Sequence, residues 1–168
     1  MATSFLDDHL TTLRSGDGHG KGAPPWTPAQ RLLMAGSSLL YLGCAAAWAR
    51  YGFRRLAGWF CLVSVLSCCG DAGGGLLPEW VMRRVRAADR AVGTVALLAS
   101  VIFNATSVLN ATLAVAAVLT SLLWLAKGRR VARAEPRARW RYLLFHGMWH
   151  AYGAAVLVAV TVRAQSGE

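Results

Sequence analysis

From Asp89 to Ala126 the chain runs for 38 residues with charges only at its first two positions. A membrane-crossing helix needs about 20 apolar residues, so this block is nearly two spans long and must fold back on itself. Asn104 and Asn110, poor helix formers within the segment FNATSVLNAT, mark the expected hairpin turn. Over the 168 residues, 55% are hydrophobic and 15% are charged, whereas a soluble domain carries about a quarter charged residues. The apolar residues fall in blocks rather than stripes, which points to the lipid bilayer as solvent.

Similar blocks run from about residue 30 to 49, 56 to 71 and 141 to 162, and the long block divides into 89–105 and 109–126. The expectation is an all-α, polytopic membrane helical bundle of about five transmembrane helices, occupying residues 29–165. Residues 1–28 form a polar lead with a Gly/Pro linker, in which Phe5, Leu6, Leu10 and Leu13 suggest an interfacial helix. With Asp7 and Asp8 early and no apolar run before residue 31, the lead does not resemble a cleaved secretory signal or an arginine-rich presequence. Residues 76–87 read as a loop or short surface helix, with Pro78 in its first turn and Arg83, Arg84 and Arg86 toward headgroups.

The charges orient this arrangement. Arg14, Lys21 and Arg31 precede the first span, Arg83, Arg84, Arg86 and Arg90 lie between the second and third, and seven more from Lys127 to Arg141 precede the last. The other side holds only Arg50, Arg54, Arg55 and Arg163. Fourteen against four, out of all 18 Lys and Arg, places the N-terminus on the cytosol-equivalent side and the C-terminus opposite. The net charge of +10 is distributed between apolar blocks and not along an aromatic-rich polar face. Membrane lipids and other membrane-protein subunits are therefore the expected partners, and nucleic acid is not. Cys44, Cys61, Cys68 and Cys69 all sit in apolar stretches without metal-ligand spacing and read as small packing residues. The N-x-[ST] sequons at Asn104 and Asn110 fall at a tight membrane-surface turn and read as coincidence.

Ionisable residues at membrane depth are functional candidates. Here they are Asp71 at the exit of the second span, Asp89 at the entry of the third, and His146 and His150 in the last. The two histidines are spaced i and i+4, hence one above the other on one helix face. The up-and-down topology brings all of them, with Ser67 one turn deeper than Asp71, into one layer beneath the positive surface. Asp71, His146 and His150 are the candidate ligands of Zn2+ or another transition metal, leaving a position for water. Ser67 is a candidate for steadying an oxyanion, and Asp89 for general base or ligand-orienting partner. Plainer roles stand beside these: interfacial polar residues for the histidines, with Tyr142 and Trp149 as belt aromatics, a helix N-cap for Asp89, and pairing with loop arginines for Asp71.

The Ser67-x3-Asp71 pattern, Asp89, and the segment from Arg139 through Phe145-His146-Gly-Met-Trp-His150 resemble the CREST superfamily of transmembrane hydrolases, which includes alkaline ceramidase and PAQR-type proteins. The resemblance implies the family's serine role for Ser67, its aspartate role for Asp89, and zinc ligation by His146 and His150. It implies a zinc-activated water that hydrolyses a lipid amide or ester. Asp71 stands where the family carries a histidine, and the family has seven helices where five are counted here. The competing expectation is a non-catalytic structural or accessory subunit of a larger membrane assembly, whose small residues, such as Gly43 and Gly153, favour close helix packing. Haem is disfavoured, since two histidines on one helix cannot ligate one iron from opposite faces.

Overall fold

The computed structural model describes residues 27–73, 76–134 and 139–167, and these residues form helices and turns with no strand. The helices are α1 (Pro28–Ser38), α2 (Tyr41–Arg50), α3 (Arg54–Ala72), α4 (Glu79–Asn104), α5 (Val108–Ala134) and α6 (Arg139–Ser166). The polar lead and its expected interfacial helix lie outside the described residues. By length and composition, four stretches can cross a membrane: Pro28–Arg50, Arg54–Ala72, Val108–Val131 and Trp140–Ser166. The all-α bundle is as expected from the sequence.

The third expected span takes a different form. Residues from 79 onward do not form a separate loop or surface helix but continue unbroken into α4, which is 26 residues long. The reason lies in the register of its inward face. Met82 is fully buried, and Arg86, Asp89 and Gly93 line the same cavity at helical spacing above buried Ala96 and Ser100. Charge at these positions disguised a continuous helical stripe. Pro78 serves as the N-cap residue rather than sitting in the first turn. Arg86 does not face outward to headgroups; its side chain is 13% exposed and turned into the bundle.

The first span is one crossing made of two helices. Its start is fixed by a capping box, Thr27 with Gln30, followed by Pro28 at the first helical position. Its break at Leu39–Leu40 comes from serines. The Ser37 hydroxyl donates to the Met34 carbonyl at 2.7 Å, and Ser64 of α3 donates to the Ser38 carbonyl at 3.0 Å. The Leu42 amide, which would otherwise bond that carbonyl, turns to Leu39 at 2.9 Å. Side chains that capture carbonyls bend a helix this way.

Between α2 and α3 the chain reverses through Gly52, at φ +83°. The Phe53 amide reaches the Trp48 carbonyl and the Gly52 amide reaches that of Ala49, both at 3.0 Å. Phe53 and Trp48 pack edge to face at 5.3 Å. This pairing of bonds with an apolar contact is a Schellman motif, which favours glycine at the left-handed position. At the far hairpin, the turn is Ala105–Ser107, and the asparagines expected to make it lie inside the flanking helices. Asn104, fully buried, donates to Thr161 at 3.2 Å, and Asn110 accepts from Arg163 at 3.2 Å. Tertiary hydrogen bonds outweigh a weak helix propensity. Burial also keeps both asparagine amides out of reach of a modifying enzyme.

The first span packs against α3 and α6, α3 against α4, α4 against α5, and α5 along most of α6, so these five elements form a closed ring. One core lies at the end of the ring near Trp48, where Tyr41, Cys44, Phe60 and Leu157 pack together. In lipid, burying a leucine offers little advantage, and close approach with polar contacts holds helices together. The α5–α6 seam shows this: a Cβ on Gly153 would lie 3.2 Å from Ser121 Oγ, and one on Gly128 3.3 Å from Phe145. Large apolar side chains such as Leu32 (74% exposed), Ile102 (72%) and Leu123 (68%) cover the outside, as a lipid-facing surface requires.

Candidate functional site

Successive spans run antiparallel and the first span runs parallel to α6, so the C-terminal ends of α3 and α5 meet the N-terminal ends of α4 and α6. There Asp71, His146 and His150 each present one donor atom, all within 4.8 Å of one another. His146 Nε2 lies 3.2 Å from Asp71 Oδ2. The imidazoles of His146 and His150 meet edge to face at 4.5 Å. His150 is 2% exposed, and the side chains of His146 and Asp71 are 11% and 14% exposed. The histidines are therefore not interfacial groups in contact with headgroup water.

Each ligand candidate is held by a further hydrogen bond. Ser37 Oγ lies 2.8 Å from His150 Nδ1, and its single proton is directed to the Met34 carbonyl. With the proton so placed, Ser37 accepts from His150 Nδ1–H, and the lone pair is on Nε2. That assignment of tautomer is the one a metal ligand needs. Ser38 Oγ donates to Asp71 Oδ2 at 3.1 Å, and the Tyr142 hydroxyl lies 3.2 Å from His146 Nδ1. Tyr41 packs its ring edge to face against His150 at 5.3 Å. The broken first span thus has a consequence at the site: it delivers two consecutive serines to two different ligand candidates.

Ser67 of α3 donates its hydroxyl proton to Asp89 Oδ1 of α4. Asp89 lies well inside α4, which begins at Glu79, so the N-cap alternative is excluded. Both residues line the cavity, of about 310 Å³, that Asp71, His146 and His150 also border. The five residues singled out in the sequence therefore share one cavity, with Asp71 bonded to His146, Ser67 to Asp89, and His150 to Ser37. As oriented, Ser67 directs its only proton to Asp89, so donating to an oxyanion would require the hydroxyl to turn.

Sequence reasoning missed Ser37, Ser38 and the cavity-facing role of Tyr142. Tyr142 was expected in an aromatic belt but is 8% exposed. Its i, i+4 spacing from His146 was the available signal; the Gly36-Ser37-Ser38 run inside an apolar span was the other. Arg86, Arg90 and Arg129 also border the cavity.

The residues fit a borderline transition metal. Two imidazole nitrogens and one carboxylate make a donor set suited to Zn2+, with a fourth position left for water or substrate. No family model, curated protein or solved structure matches this chain.

Proposed function

We propose that this chain is an integral membrane hydrolase that acts on a lipid amide or ester with the help of Zn2+ held by Asp71, His146 and His150. The observation that carries this reading is the convergence of three donor atoms within 4.8 Å on the cavity that also holds the Ser67–Asp89 pair. Bound there, Zn2+ would supply Lewis-acid activation of water and of a carbonyl oxygen. The protein's own groups do the rest. Ser37 fixes the His150 ring, Ser38 fixes the Asp71 carboxylate, and Tyr142 braces His146. Asp89 is placed to accept a proton from water or from Ser67, and Ser67 to steady charge developing on the substrate carbonyl. The site residues are largely buried, an environment in which such dipoles act strongly.

The reading agrees with the resemblance to the CREST hydrolases in its serine, aspartate and two histidines, with Asp71 as a carboxylate in place of the family's third histidine. In this proposal the N-terminus and the charged end of the cavity lie on the cytosol-equivalent side, by the arginine asymmetry. The test is fatty-acid or amine release from mixed lipids by the protein reconstituted in bilayers, before and after chelation. Activity lost on chelation and restored by Zn2+ is expected. Release that is unaffected by chelation and by His146→Ala would overturn the proposal. A chain that binds no metal would be left with the accessory-subunit role.

A further inference from the structure

Of the seams around the ring, that between α4 and α5 is the sparsest among the described residues. Glycines show the contrast. At the α5–α6 seam a Cβ on Gly128 or Gly153 would meet a neighbouring side chain at 3.3 or 3.2 Å. On α3, one on Gly70 would meet Arg86 Cγ at 3.7 Å, whereas one on Gly93 of α4 would meet nothing within 4 Å. Gly93 borders the cavity, as do Thr94 and Leu98 of α4 and Val118 of α5. Leu98 is also 59% exposed. A residue that borders the cavity and the outer surface at once marks where the cavity wall is open.

That opening faces hydrocarbon. Thr94 and Val118 each stand eleven residues from the Ala105–Ser107 turn, about 16 Å along their helices. This is half of a hydrocarbon core of about 30 Å. Neither helix carries a charge between Arg90 and Lys127, and Val95, Ile102, Leu119 and Leu123 are exposed on their outer faces. No water is available at that depth, so the medium at the opening is lipid chain. A partner's helix, about 10 Å across, is too wide to pass between two helices that still touch. A single hydrocarbon chain is not.

We infer that the α4–α5 seam is a lateral portal occupied by one acyl chain of a bilayer lipid, which passes between Thr94 and Leu98 of α4 and Val118 of α5 into the cavity. Asp89 and Leu98 are nine residues apart on α4, about 14 Å along its axis. A chain attached at the level of Asp89 therefore leaves through the portal, and its end stays in the bilayer. Its length is then not limited by a cavity of about 310 Å³. As a route for substrate this rests on the hydrolase reading; as a lipid site it stands separately, and the experiment reads the lipid.

The test places the full chain in nanodiscs of a phosphatidylcholine with ether-linked chains, which amide or ester hydrolysis does not release. A fraction of the lipid carries a diazirine in one chain, and adducts formed on irradiation are mapped by peptide mass spectrometry. Adducts are expected on Phe60 and Val63, buried residues of α3 that border the cavity, as well as on outward-facing Leu119 and Leu123. Leu98→Trp and Val118→Trp, each of which fills the portal, should lower the inner adducts about tenfold and leave the outer ones unchanged. If Val118→Trp does not fold, Leu98→Trp, at an exposed position, decides alone. Wild-type adducts confined to outward-facing residues would overturn the inference. So would inner adducts undiminished in the folded tryptophan variants, which would show that the chain enters elsewhere. Failure here leaves metal content and chelation-sensitive lipid release in place, and failure of the hydrolase reading leaves the inner adducts in place.

Discussion

Ser37→Ala tests the finest detail of the site, because it removes one oxygen atom and no charge. Ser37 Oγ accepts the His150 Nδ1–H at 2.8 Å, and His150 is 2% exposed. Water therefore has little access to replace the lost acceptor. The nearest substitute is Ser38 Oγ at 3.5 Å from the same nitrogen, a distance too long for a good bond, and its proton is directed to Asp71. Loss of a hydrogen bond that orients a ligand lowers metal affinity by about 10- to 100-fold, which is about 1.4–2.7 kcal/mol at 1.36 kcal/mol per decade. The variant without metal should also be less stable by about 1–3 kcal/mol, the penalty for an unsatisfied buried donor. Zn2+ affinity is measured in detergent by competition with a chromophoric chelator, and stability by a thermal melt with chelator present. Ser37→Thr, which keeps the hydroxyl, should recover most of the affinity. An alanine variant that binds Zn2+ as tightly as the wild type would refute the assignment of His150 Nε2 as ligand.

The other expectations concern chemistry, turn geometry and orientation. Asp89→Asn should reduce lipid hydrolysis by about 10²- to 10⁴-fold, as expected for a general base, while metal content stays at the wild-type level; a parallel loss of metal would instead make Asp89 part of the ligand set. Gly52→Ala should lower stability by about 1–2 kcal/mol, because φ +83° is strained for any residue with a Cβ, and an unchanged melting temperature would contradict the Schellman turn. In a background without the native cysteines, single cysteines at Ser107 and Arg130 should react with an impermeant maleimide from opposite sides of sealed vesicles; same-side labelling would break the topology.

The sequence made the bundle legible because hydropathy blocks are a local property, and each block became helical, the first as two helices. The i, i+4 histidines were legible for the same reason, and topology alone was enough to associate them with Asp71, Asp89 and Ser67. What escaped was set by partners distant in the chain. The bend at Leu39–Leu40 depends on Ser64, 26 residues away, and the inward turn of Asn104 depends on Thr161, 57 residues away. Residues 76–87 read as a loop or short surface helix, and not as the start of the third span, for another reason. Their arginines resemble a solvated loop until Met82, Arg86 and Asp89 are seen as one stripe that continues through Gly93 and Ala96. A cavity that buries charge breaks the usual link between polarity and surface, and there sequence reading loses its guide.

The central claim is that Asp71, His146 and His150 act together as one ligand set, and elemental analysis of the purified protein tests it most directly. Protein grown with zinc and purified without chelator should carry about one zinc per chain, and His146→Ala and His150→Ala should each lose it while still folding. A wild-type protein that carries no stoichiometric metal, or a His150→Ala variant that carries as much as the wild type, would contradict the account.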